Sequence, residues 1–190
     1  MRARVLAIAL LCIAGTAAAQ ANEGMPDTGF VFNLRLGGGV PIGIGGTAGI
    51  SPSLNALPAI AAGARLIGRL ELTLGMSFAR FENGPSATSV VSFVPTLAVD
   101  IVRSADRKAA FYGKFGLPLG VGVTSSTATS SNSFILGFDL GLGMRYAVHR
   151  MFAIGLEGGA AGLFIEPQDP SPVGVTIFYA VLVGTFYYGR

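Results

Sequence analysis

From Phe134 to Tyr146 the chain reads FILGFDLGLGMRY. Phe134, Leu136, Phe138, Leu140, Leu142, Met144 and Tyr146 share one parity, while Gly137, Asp139, Gly141, Gly143 and Arg145 fall on the other. Strand side chains alternate between faces, so the stretch reads as a ribbon with one greasy face and one small, polar face. The pattern recurs. Phe111, Gly113, Phe115, Leu117, Leu119, Val121 and Val123 oppose Tyr112, Lys114, Gly116, Pro118, Gly120 and Gly122. Phe30, Phe32, Leu34 and Leu36 oppose Asn33 and Arg35. Leu70, Leu72, Leu74, Met76 and Phe78 oppose Glu71, Thr73 and Ser77, and Val91, Phe93, Leu97, Val99 and Ile101 oppose Ser92, Thr96 and Asp100.

A soluble β-sandwich alternates too, but its polar face meets water with many charges. Here that face is mostly Gly, Ala, Ser and Thr, which suits the crowded inside of a small barrel. Composition agrees. Hydrophobic residues make up 51% of the 190 residues and charged residues only 12%, the balance of a membrane protein. The 28 glycines are spread through the apolar runs. Glycine is costly in a helix, and past the first segment no run supplies the ~20 apolar residues of a spanning helix. A closed β-barrel is the other way to satisfy every backbone group in a bilayer.

The first segment, MRARVLAIALLCIAGTAAAQA, reads as a secretory signal. Arg2 and Arg4 form the basic region, Val5 to Ala14 the apolar region, and Ala17 to Ala19 the cleavage site. The reading expects a signal peptide over 1–19, a short N-terminal periplasmic segment over 20–28 and a barrel over 29–190. Ala9, Leu10 and Leu11 lack the small residues a lipoprotein site at Cys12 would need. Losing Arg2 and Arg4 takes 13 basic residues to 11 against 10 acidic ones, a net of about +1. No basic face for nucleic acid remains. The lone cysteine goes with the signal, so no disulfide is expected in the mature chain.

Eight strands are expected over 29–40, 58–67, 69–81, 89–102, 109–123, 134–147, 151–164 and 173–187. The connections near Gly68 and Arg69, from Arg103 to Lys108 and from Val148 to Arg150 are short and basic. Those over 41–57, 82–88, 124–133 and 165–172 are rich in Gly, Pro, Ser and Thr. Short periplasmic turns alternating with longer outer loops are the pattern of an outer-membrane barrel. Phe30, Phe111, Tyr146, Phe152 and Tyr187 fall near the periplasmic ends, and Phe78, Phe93, Phe134 and Phe164 toward the outer ends, as interfacial girdles. In the 41–57 loop, Ile42, Ile44, Ile50, Leu54 and Leu57 are expected to pack the loop itself, with plugging of the mouth or contact with lipid or a partner as the alternatives.

With each apolar face given to lipid, the inward faces collect Arg35, Arg65, Glu71, Asp100, Lys114, Asp139, Arg145 and Glu157. Four cations meet four anions. Buried charges need partners, and Arg65 and Glu71 flank one turn, placed to face each other across it. The expected site is this interior charge network, either a paired polar filling or a gate in a narrow channel. Strand number excludes a wide pore. By the same parity, Leu140→Arg should impair insertion and Gly141→Ser should be tolerated.

The segments VPTLAVDIV, FYGKFGLPLGVGV, FILGFDLGLGMRYAV and VTIFYAVLVGTFYY make the chain resemble the small outer-membrane β-barrel family of the OmpA/OmpX type. The resemblance covers about residues 28 to 190. It implies an all-β fold, an eight-stranded antiparallel up-and-down transmembrane β-barrel, located in the outer membrane of a Gram-negative cell. It also implies outer-membrane lipid as surroundings, and the barrel assembly machinery and periplasmic chaperones as partners in biogenesis. The family's last strand typically ends in Phe, whereas this chain ends Tyr187, Tyr188, Gly189, Arg190.

Little chemistry is legible. The single histidine, His149, falls in a short turn beside Arg150, with no nucleophile placed against it. Glu166 and Asp169 are too few for a metal site. The glycines at 37–39, 43, 45 and 46 lack the βαβ context of a nucleotide fingerprint. The expectation is therefore no enzyme, no cofactor, no catalytic or metal-binding residue and no nucleic-acid partner. Two functional readings stay open: a closed barrel for envelope integrity or surface interaction, with its surface ligand unknown, and a narrow channel for small or hydrophobic solutes.

Overall fold

The computed structural model describes residues 24–44, 58–83, 86–125, 130–166 and 173–189. The signal segment 1–19 and the loop residues Ile50, Leu54, Leu57 and Asp169 lie outside the described residues. The elements are β1 (Gly29–Ile44), β2 (Pro58–Leu66), β3 (Leu70–Asn83), β4 (Ser86–Arg103), β5 (Ala109–Gly116), β6 (Leu119–Ser125), β7 (Ser130–His149), β8 (Phe152–Glu166) and β9 (Val173–Tyr188). All pair antiparallel, each with its neighbour, and β9 returns to pair with β1 from Phe30↔Tyr188 to Ile44↔Gly174. The sheet closes on itself.

Nine segments make a ring of eight because β5 and β6 are halves of one strand, where a continuous 109–123 was expected. Both pair with β4 on one side and β7 on the other. Gly116 opposes Asp139 and Leu119 opposes Leu136, the same three-residue step on both strands, so the register crosses the gap unchanged. The gap is Leu117 and Pro118. Proline has no N–H for the ladder, but the neighbouring groups keep their bonds: the Leu117 N–H donates to the Pro95 carbonyl (3.0 Å) and the Gly137 N–H to the Pro118 carbonyl (2.8 Å).

Several strands outrun their expected ends. β1 continues to Ile44, β4 begins at Ser86 and β7 at Ser130. Apolar alternation marks only the lipid-embedded part of a strand. Backbone pairing needs no apolar side chain, and the polar arm Ser130 to Ser133 stays registered against Ser125 to Gly122.

Leu72, Leu74, Phe93, Phe115, Phe138, Leu140, Leu142 and Leu182 are exposed on the outer wall. The inward parity of the same strands is buried. The last strand corrects one assignment: Tyr187, expected in the lipid-facing girdle, is 2% exposed and points inward, while Tyr188 is 76% exposed. A two-tyrosine ending leaves parity ambiguous, and pairing to β1 decides it.

The lumen is layered from the short-turn end. Met25, Val31, Ala110, Ala147, Ala153 and Tyr187 form an apolar floor. Charged side chains of β2, β3, β4 and β7 lie above it, followed by those of β1, β5, β7 and β8. Toward the outer end the buried side chains are apolar or small: Val90, Ser92, Val94, Ile135, Leu163, Val175 and Ile177.

The floor has an unexpected member. The segment 24–28 does not trail from the barrel but folds under it. Met25 is 1% exposed, its sulfur receiving the Tyr187 hydroxyl at 3.6 Å. Its N–H donates to the Arg107 carbonyl (3.0 Å), and the Gly68 N–H donates to the Asp27 carbonyl (2.7 Å). The Asp27 carboxylate bridges Arg103 and Arg107, and Arg103 also donates to the Met25 carbonyl at 3.1 Å.

The short turns are built to meet this segment. In the β2–β3 turn, Ile67 (φ 49°) and Gly68 (φ 67°) both take the left-handed region. Glycine does so freely, but a β-branched residue rarely does. That backbone aims the Gly68 carbonyl at two guanidiniums: Arg65 donates to it at 3.1 and 2.7 Å and Arg103 at 2.7 Å. In the β4–β5 turn, the Ser104 hydroxyl and then the Lys108 N–H donate to Asp106, holding its carboxyl below the usual carboxylate range.

Candidate functional site

The eight charges picked out by parity are all buried in the lumen, in two clusters. The lower one is a closed square. Arg65 and Glu71 are cross-strand partners of the β2–β3 hairpin, and their side chains meet at 2.6 Å. Arg145, from β7, reaches Glu71 at 2.7 Å. Asp100, from β4, pairs with both Arg65 and Arg145. Each guanidinium thus contacts both carboxylates, and each carboxylate both guanidiniums. The planar forks of arginine suit this arrangement, offering several donors in fixed directions. Tyrosines cover the cations: Arg65 lies 5.5 Å from the Tyr187 ring centroid and Arg145 lies 4.8 Å from that of Tyr112.

The upper cluster centres on Lys114. Its ammonium lies 2.8 Å from Asp139 and 2.7 Å from Glu157. The Tyr179 hydroxyl donates to Asp139 at 2.7 Å and the Tyr112 hydroxyl to Glu157 at 3.0 Å. Lys114 also sits 5.0 Å from the Tyr179 ring centroid. Arg35 is held more loosely. Its Nη2 is 3.5 Å from Glu157, and its Nε and Nη1 find no hydrogen-bond partner among the described residues.

Reading alternate residues for charge passes over part of this site. Tyr112, Tyr179 and Tyr187 supply hydroxyls and ring faces; Tyr112 shares the inward parity of Lys114 but carries no charge, and Tyr187 reads as girdle. Glycines that make room for two of them were the available signal. A Cβ on Gly143 would lie 2.5 Å from the Tyr112 ring, and one on Gly141 would lie 2.7 Å from the Tyr179 hydroxyl. Gly141→Ser is therefore not the neutral change that parity alone suggests, because it displaces the group that donates to Asp139. Arg103 escapes parity for another reason. The register shifts between Asp100 and Val102, so Ile101 and Val102 are both exposed and Arg103 swings beneath the barrel, 3.5 Å from Asp100.

Among the described residues no group of three His, Cys, Asp or Glu side chains is placed to hold a metal ion. His149, expected in a turn, is the last residue of β7, paired with Phe152, and its Nδ1 accepts the Met151 N–H at 3.2 Å.

No family model and no curated protein matches the chain. Solved structures do. Neisserial surface protein A (NspA) superposes with a TM-score of 0.52 at 16% identity, over 87% of this chain and 100% of that one. The chain folds as a small outer-membrane β-barrel. Ail, the attachment invasion locus protein of Yersinia pestis, gives 0.48 at 15% identity over 85% and 100% of the two chains. The outer membrane protein AlkL gives 0.43 at 13% over 88% and 92%. The fold assignment rests on the first. The wall agrees with it: apolar side chains outside and paired charges inside are the build of a membrane-spanning barrel.

Proposed function

We propose that this outer-membrane barrel is closed and non-catalytic, and that it serves envelope integrity or surface interaction rather than transport. The observation that carries the reading is the square of Arg65, Glu71, Arg145 and Asp100, which spans the lumen with its charges mutually paired. An ion entering there must displace partners that already neutralise each other at short range. Two further layers oppose water on either side, the Met25 floor below and the buried Val90, Val94, Ile135 and Ile177 above. Apolar constrictions of this kind exclude ions by dewetting. On this reading the interior is structural filling, and recognition belongs to the outer surface. A cleaved signal over 1–19, and assembly machinery and periplasmic chaperones as partners in biogenesis, complete the proposal.

The competing reading, a narrow channel for small or hydrophobic solutes, draws on Arg35, the least firmly held of the interior cations. Conductance across a planar bilayer separates the two. The refolded, unmodified protein should show negligible steady current at all applied voltages. A stable, ion-selective current from that protein would overturn the closed barrel and favour the channel.

A further inference from the structure

We propose that the short-turn end of the barrel binds one anionic phospholipid, its phosphate between Arg69 and Arg107 and an acyl chain in the groove beside Phe111 and Tyr146. Two hollows adjoin there. The first, of about 600 Å³, lies between the β2–β3 and β4–β5 turns and is lined by Gly68, Arg69, Arg103, Ser104, Arg107 and Asp27. The second, of about 740 Å³, runs up the outer wall and is lined largely by apolar side chains, among them Val102, Phe111, Met144, Tyr146 and Ile154. Arg103 and Ser104 border both.

The chemistry of the two hollows differs in the order a lipid requires. Arg69 and Arg107 are exposed at the end that faces the periplasm in such barrels. Arg103 lies beneath them, with Asp27 between Arg103 and Arg107. The end as a whole is cationic: Arg69, Arg103, Arg107, Lys108 and Arg150 stand against Asp27 and Asp106. Asp27 offsets one of the three guanidiniums lining the hollow, so a surplus remains for a phosphate, which arginine grips through paired N–H donors. The groove has a local cause. Ala109 faces outward opposite Tyr146, and this small side chain among Phe111, Met144 and Tyr146 leaves a slot on a wall that already faces hydrocarbon. A diacyl phospholipid presents its phosphate at the interface and its chains inward, in the same sequence as the basic hollow and the apolar groove.

Native mass spectrometry of the refolded full chain in detergent tests this. The probes are phosphatidylglycerol, phosphatidylcholine with the same chains, and glycerol phosphate. One phosphatidylglycerol should be retained in preference to phosphatidylcholine, and glycerol phosphate should not displace it. Arg69→Ala should weaken retention about fivefold, and Ala109→Phe, which fills the slot, should weaken it while leaving heat-modifiable gel migration unchanged. Displacement by glycerol phosphate at concentrations matching the lipid would assign the basic hollow to a soluble phosphate and overturn the lipid site. Equal retention of the two lipids, or wild-type retention by both variants, would overturn it as well.

Discussion

Replacing Glu71 with alanine is expected to destabilise the barrel by about 3–5 kcal/mol, the cost of stranding a buried charge by removing its partner. Glu71 accepts from Arg65 at 2.6 Å and from Arg145 at 2.9 Å. Both guanidiniums then depend on Asp100, which Arg103 also approaches. Glu71→Gln keeps an acceptor without the charge, so its loss should be smaller. The readout is the urea midpoint for loss of heat-modifiable migration in lipid, since the chain has no tryptophan. A midpoint unmoved by Glu71→Ala would mean that the square contributes nothing to stability.

The second large effect lies on the other face. Leu140 sits mid-strand in β7, half exposed on the outer wall at 50% and registered against Phe115 and Ala160. Arginine there faces hydrocarbon, at a cost of about 2–4 kcal/mol near the midplane. Leu140→Arg should insert poorly into liposomes, and Leu140→Phe should insert as the wild type does. Equal insertion of both variants would show that the face does not meet lipid. Gly141→Ser is a poor control because Tyr179 occupies its space; its expected signature is a weakened interior rather than failed insertion.

The ring of eight was legible because a barrel wall separates lipid from lumen at every residue, so parity is written repeatedly along the chain. Lys114 illustrates this: a cation among aromatics is explained by its own strand before any partner is known. What parity hides is whatever breaks or escapes alternation. The extra residue at Ile101 reverses the faces for Arg103. Pro118 interrupts a strand without shifting its register. Tyr187 and Tyr188 offer two equivalent phases, settled by the pairing of Val31 with Tyr187. The square itself joins β2, β3, β4 and β7, and the pairing of β5 with both β4 and β7 brings Asp100 and Arg145 within reach. The polar contacts of Met25 and Asp27 depend on a rim that exists only once the hairpins are formed.

That dependence gives the N-terminal segment a place in the finished barrel. Its contacts reach Gly68 in the first short turn, Arg103 and Arg107 around the second, and Tyr187 in the final strand. These lie as far as 162 residues along the chain from Met25, so no partly built sheet offers the whole set. Contacts of such separation carry the entropic cost of closing nearly the whole chain into a loop. In the finished barrel Met25 is buried, and its segment draws on both short turns and the last strand at once. The pairing of β9 with β1 holds Tyr187 over Met25, and the closed sheet buries the methionine. The short segment expected to lead into the barrel is thus a fastening of its short-turn end, tying both turns to the last strand.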